Sequence, residues 1–179
     1  MNWEKAGMIK VVCNSSPIIG LSIIKKLDLL WEIFGEVYIT DEVYREITIG
    51  EKIKNIGAEE LIEAVKNGCI KIYSVKNKLL VEQLYGRLHR GELEVMVAAK
   101  ELKIKRVIID DRSARHFAET VLLRSIGLMG ILLLAKECKK INSIKEYLDV
   151  LIENGFRMSI KLYNEVLKSA GEIENDRTR

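Results

Sequence analysis

The stretch that most constrains this chain is Val107-Ile108-Ile109, which runs straight into Asp110-Asp111. Three β-branched residues in a row suit a strand covered on both faces, and such strands belong to parallel sheets flanked by helices. Parallel neighbours are therefore expected. In open parallel α/β sheets ligands bind in the crevice beyond the carboxyl ends of the strands, so Asp110 and Asp111 fall where chemistry is housed. Asp111 is also well suited to cap the helix that begins near Arg112.

Composition narrows the class. A chain of 179 residues with 48% hydrophobic content can bury one good core, and its length demands no second domain. One domain is expected over residues 8–171, between a short N-terminal arm (1–7) and a polar, frayed C-terminal tail (172–179). The net charge of +3 does not by itself declare nucleic-acid binding but is compatible with a local basic surface. Cys13, Cys69 and Cys138 form no C-x-x-C pair, which argues against a disulfide framework or a zinc site and for a reducing cytoplasm. The arm lacks the apolar centre of a signal peptide. The longest apolar run, Ile126 to Ala135, is about half of the roughly 20 residues a membrane-spanning helix needs. It reads as a buried helix.

Strand and helix signals alternate along the chain. Ile9 to Cys13 is a first strand, and Ser16 followed by Pro17 predicts a helix with Ser16 as cap and Pro17 at its first position. Leu29 to Phe34 continues as helix to Gly35. Val37 to Ile39 is a short strand, and Thr40 or Asp41 caps a helix with Val43 and Ile47 on one face. Glu46 sits at the border of that face, able to turn inward or to pair with Arg45 or Lys52 in solvent. Ala58 to Lys66 is an amphipathic helix stopped by Asn67-Gly68. Cys69 to Val75 alternates like an edge strand, and Lys78 to Gly86 is a further helix. Glu92 to Leu102 is apolar on most sides and should be deeply packed, with Glu92 and Glu94 placed to favour its dipole. Beyond the Asp110-Asp111 corner come a helix from Arg112, a last strand over Val121 to Ser125, and helices starting at Ile126, Ser143 and Ser159.

This order predicts a three-layer α/β/α fold with a mainly parallel central sheet and additional C-terminal helices. Asn14 then lies at the end of the first strand and Asp110 and Asp111 at the end of another, while Glu46 and Glu92 are on helices that can face the same crevice. Oxygen donors with few histidines and no paired cysteines suit Mg²⁺ or Mn²⁺ rather than zinc.

Four segments, Val12-Cys13-Asn14-Ser15-Ser16-Pro17-Ile18-Ile19, Glu42 to Ile47, Arg90-Gly91-Glu92-Leu93-Glu94 and Ile108 to Arg112, together resemble a PIN domain. More narrowly the chain is similar to the DUF3368 group of that superfamily, whose members are described as predicted nucleic-acid-binding proteins. Ile126 to Lys136 and Gly155 to Tyr163 match that group too, so the resemblance spans roughly residues 9 to 171. Their order and spacing carry it rather than any one motif.

The resemblance implies a metal-dependent ribonuclease, with acids holding Mg²⁺ or Mn²⁺ that activates water against an RNA phosphodiester. It places the metal-binding positions on Asn14, Glu46, Glu92 and Asp110 or Asp111, with Glu46, Glu92, Asp110 and Asp111 catalytic and Ser16 as the hydroxyl after the first acid. Arg87, Arg90, Arg112 and Arg115, with His89, would hold the RNA backbone by salt-sensitive phosphate contacts. Many relatives are toxins of toxin–antitoxin pairs, which implies an antitoxin protein as partner, and family analogy implies a homodimer. Asn14 departs from the usual Asp and withholds one negative charge, so weaker metal affinity is expected. The alternative is a catalytically weak or inactive nucleic-acid-binding or regulatory module. A phosphoacceptor receiver domain fits poorly because the paired acids come late in the chain. A haloacid-type phosphatase would need D-x-D after the first strand, where Asn14-Ser15-Ser16 stands.

Overall fold

The computed structural model describes residues 9–49, 56–86 and 88–173. Most of the proposed arm and tail, together with Lys52 and Arg87, lies outside the described residues. Five strands, β1 (Lys10–Cys13), β2 (Glu36–Thr40), β3 (Ile70–Tyr73), β4 (Arg106–Ile108) and β5 (Arg124–Ile126), form one sheet in the order β3-β2-β1-β4-β5. Every neighbouring pair is parallel. Helices cover both faces, giving three layers as expected.

The two central strands are the ones whose sequence is apolar without alternation. Val11, Val12 and Cys13 of β1 and Val107, Ile108 and the following Ile109 are completely buried. β3 at one edge and β5 at the other carry exposed residues and close the sheet. Between β1 and β2 come α1 (Ser15–Ile23) and α2 (Leu29–Phe34), and the chain leaves α2 through Gly35, whose φ of 77° favours glycine. Thr40 caps α3 (Asp41–Thr48) by accepting the Val43 N–H at 3.3 Å, and α4 (Ala58–Lys66) leads to β3. After α5 (Lys78–Leu84), α6 (Arg90–Glu101) packs along β1, β2 and β4 with Gly91 to Ala99 all buried. α7 (Arg112–Thr120) precedes β5, and α8 (Leu128–Glu137), α9 (Lys145–Glu153) and α10 (Ile160–Ser169) complete the chain. No helix among the described residues is long and apolar enough to cross a membrane.

Four local expectations are corrected. α1 begins at Ser15 with Asn14 as its N-cap, so Ser16 is not the cap and Pro17 is the third helical residue rather than the first. The last strand is Arg124–Ile126, not Val121 to Ser125. The Leu122 and Leu123 amides bond back to Glu119 and Ala118 of α7, with Leu122 at a φ of 61°, and only at Arg124 does an N–H turn to the carbonyl of Lys105, the residue before β4. α8 starts after extended Gly127, and α9 at Lys145 rather than Ser143.

Ser143 instead donates to Glu172, a residue expected in the frayed tail. The Glu172 carboxylate accepts from Lys136 Nζ at 2.6 Å, Ser143 Oγ at 3.1 Å, and the Ile144 and Lys145 N–H groups at 2.5 and 2.9 Å. Burial opposes its charge, but these four donors hold its pKa at about 2. The end of α10 is thereby tied to α8 and to the start of α9. A carboxyl held below its ordinary 4.5 stabilises the fold above that value and loses the contribution as pH falls toward about 2. Glu172→Gln is expected to cost about 2–3 kcal/mol, since charged hydrogen bonds are worth about 1.5–3 kcal/mol each and the NH2 that replaces one oxygen leaves one of the two backbone amides without its acceptor. That lowers Tm by roughly 5–10 °C at neutral pH. Melts between pH 5 and pH 2 should show the variant with a shallower acid loss than the wild type.

Candidate active site

The chain order reverses between β1 and β4, and the carboxyl ends of these two strands meet at the switch point where open α/β sheets bind ligands. Cys13 pairs with Ile108, and the Asn14 N–H donates to the Ile108 carbonyl at 2.9 Å. The residue leaving β1 and the acids leaving β4 are therefore held side by side.

Asn14 is 5% exposed, and its Oδ1 is buried with no hydrogen-bond partner. An N-cap Asn ordinarily accepts the N–H of the second or third helical residue. Here the third is Pro17, which has no N–H. Pro17 thus withholds one of the two usual donors, the Ser16 N–H does not engage the oxygen either, and Asn14 Oδ1 stays free at the site.

A point 3.5 Å from both Asn14 Oδ1 and Glu46 Oε2 is where a side chain at Gly91 would place its first carbon. The two oxygens are within twice that distance of each other, and only the missing side chain leaves the space between them open. Glu46, exposed on α3, does reach inward. The next residue, Glu92, is 5% exposed and accepts the His89 N–H at 3.1 Å through Oε2, which fixes it at the head of α6. Burial raises its pKa, the His89 N–H opposes this, and the charges of Asp111 and Glu46 raise it further. These three acids share one field. Glu92 and Asp111 also face a cleft of 390 Å³ with Tyr85 and His89.

Asp110 and Asp111 divide their tasks. Asp111 Oδ1 accepts the Ala114 N–H at 2.8 Å and caps α7, as the sequence allowed. Asp110 Oδ1 accepts the Leu128 N–H at 2.7 Å, at the start of α8. Gly127 makes this possible, since a Cβ there would stand 2.7 Å from that oxygen. Asp110 Oδ2 is buried without a partner. Burial raises the Asp110 pKa, opposed by the Leu128 N–H and the charge of Arg115.

Ser16 is exposed on the first turn of α1. Arg112 and Arg115 are exposed on α7 and line a shallow depression with His116 and Glu119. Arg115 Nε donates to Ser125 Oγ at 3.4 Å. Arg90 pairs with Glu82 at 2.8 Å and Glu94 at 3.5 Å, so its charge is largely engaged, and Glu94 has a structural partner.

Among the described residues no three His, Cys, Asp or Glu side chains are gathered closely enough to hold a metal ion as they stand. The donors around Gly91 are all oxygens; Asn14 Oδ1 among them is buried and unpartnered, as is Asp110 Oδ2 beyond the end of β4. That set fits a hard divalent cation of the Mg²⁺ class, which keeps several waters and takes one or two carboxylates with substrate phosphate. Asn14, Glu46, Glu92 and Asp110 are the residues that would hold it, with Asp111 beside them.

The family model that matches is that of the PIN domain group DUF3368, over residues 10–172. The chain belongs to the PIN domain family. A search among curated proteins gave no match. The PIN fold is a nuclease-like scaffold, and PIN domains generally use divalent metal ions. In this PIN domain Gly91 and Pro17 are site residues that the sequence did not single out. A glycine beside Glu92 was the visible signal for the first, but only the approach of α1 and α3 gives it meaning.

Proposed function

We propose that this PIN domain is a divalent-metal-dependent ribonuclease that hydrolyses RNA phosphodiester bonds with Mg²⁺ or Mn²⁺. The observation that carries the reading is the convergence of Asn14 Oδ1 and Glu46 Oε2 over Gly91, next to Glu92 and Asp111. A bound divalent cation would polarise the scissile phosphate and lower the pKa of water. Arg112 and Arg115 would hold the flanking phosphates. Glu92, kept in place at the head of α6 by the His89 N–H, would help to hold that cation through its carboxylate. The same reading makes the protein a cytoplasmic toxin of a toxin–antitoxin pair, acting as a homodimer and restrained by an antitoxin protein; this part rests on family analogy.

A second reading, a binding or regulatory module that grips nucleic acid without cutting, is favoured by one observation. The first metal position is the neutral amide of Asn14, and among the described residues no three acids are closely gathered. Mn²⁺ titration and RNA cleavage by wild type and Asn14→Asp separate the two. The nuclease reading expects wild-type cleavage that depends on Mn²⁺, with about tenfold tighter Mn²⁺ binding in Asn14→Asp from the added charge. A wild type that neither binds Mn²⁺ nor cuts, beside an Asn14→Asp variant that does both, overturns it in favour of the binding module.

A further inference from the structure

A second cavity, of 340 Å³, opens on the other side of Asp110, between the start of α8 and the α9–α10 connection. Its volume lies within the roughly 300–1,000 Å³ of small-molecule sites. Its lining carries two cationic side chains, Arg115, steadied by Ser125, and Arg157, which forms no ion pair among the described residues. It also carries Met129 and the half-buried Phe156, both packed against the core. Guanidinium groups and an aromatic ring lining one cavity supply the two kinds of contact a nucleotide needs, to phosphate and to base. The cleft lined by Glu92 and Asp111 and the cavity lined by Asp110 flank adjacent residues of one chain corner.

We infer that this cavity receives one nucleotide of a single-stranded RNA next to the bond at the acidic site, with its base on Phe156 and its phosphate on Arg115 and Arg157. Stacking is sequence-tolerant, because every base has a face to offer, so the pocket supplies affinity more than sequence choice. The inference rests on the ribonuclease reading for its ligand.

The test uses a fluorescently labelled single-stranded RNA oligonucleotide, bound to the full chain in chelator so that cleavage does not intervene. Phe156→Leu keeps an apolar side chain and removes the stacking face. It should weaken binding about tenfold. Arg157→Gln should weaken binding severalfold and lower the slope of log K against log salt by about one phosphate contact. Both should melt like the wild type, and with metal present should raise KM while leaving kcat nearly unchanged. Binding and salt slope equal to wild type in both variants overturn the inference, as does a wild type that binds no RNA. Cleavage by the wild type with unaffected variants would sink the pocket and leave the ribonuclease reading standing. Absence of cleavage with binding lost in both variants would do the reverse.

Discussion

Asp110→Asn is expected to reduce metal-dependent RNA cleavage by about two orders of magnitude or more and to weaken Mn²⁺ binding, without unfolding the protein. The carboxylate is anchored through Oδ1 by the Leu128 N–H, and its other oxygen is buried with no partner. An amide of the same shape keeps the anchor and takes away the charge. The effect on stability should be neutral or favourable at pH 7. Burial raises the Asp110 pKa in the fold, so the ionised wild type gives up stability as pH rises through that raised value. The variant has no such loss. Melting curves across the acid range should therefore show Asp110→Asn at or above the wild type near neutrality, with the gap closing as pH falls. Unchanged Mn²⁺ binding and unchanged cleavage would mean that the site lies elsewhere.

Gly91→Ala is expected to make the protein more stable and less able to bind metal. Gly91 is the second residue of α6, its backbone is not in the left-handed region, and an added Cβ meets only ordinary contacts at 3.5 Å. Replacing a helical glycine by alanine stabilises by roughly 0.5–1 kcal/mol, which raises Tm by about 1–4 °C. Two of those contacts are Asn14 Oδ1 and Glu46 Oε2, so the methyl group fills the space between the converging oxygens. Mn²⁺ affinity should fall about tenfold, since the ion needs both oxygens and its own waters there. Thermal melts and Mn²⁺ titration on the same sample check both halves. A more stable variant that binds Mn²⁺ as tightly as the wild type would place the cation away from Gly91.

Much of this architecture was legible before any coordinates. Val107 to Ile109 and Val11 to Cys13 are apolar without alternation because they are covered on both faces, and Asn67-Gly68 and Asn154-Gly155 mark helix ends by local chemistry alone. The Asp110-Asp111 corner was legible for the same reason, since a central strand has to deliver its last residues to the sheet edge. What sequence patterning missed depends on distant partners. Val121 and Leu122 read as strand from their apolar character, yet their position is set by the α7 carbonyls they bond back to. Glu172 looked like part of a polar tail, and only the folded chain supplies its four donors. Pro17 read as an N-terminal helix signal. Its consequence for Asn14 depends on a one-residue shift in where α1 begins.

The strand order also has a meaning for synthesis. β1, β2 and β3 are made first and lie together on one side of the sheet, but the other edge of β1 stays bare until β4 emerges much later in the chain. Parallel pairing across so long a separation is slow, because loop closure precedes the contacts that reward it. Asn14 and Glu46 leave the ribosome long before Asp110, and Asp110 finds its anchor only when α8 follows. A growing chain therefore carries the pieces of the acidic corner without the corner itself. Whatever chemistry resides there is withheld from the translating ribosome and its message until α8 has been made.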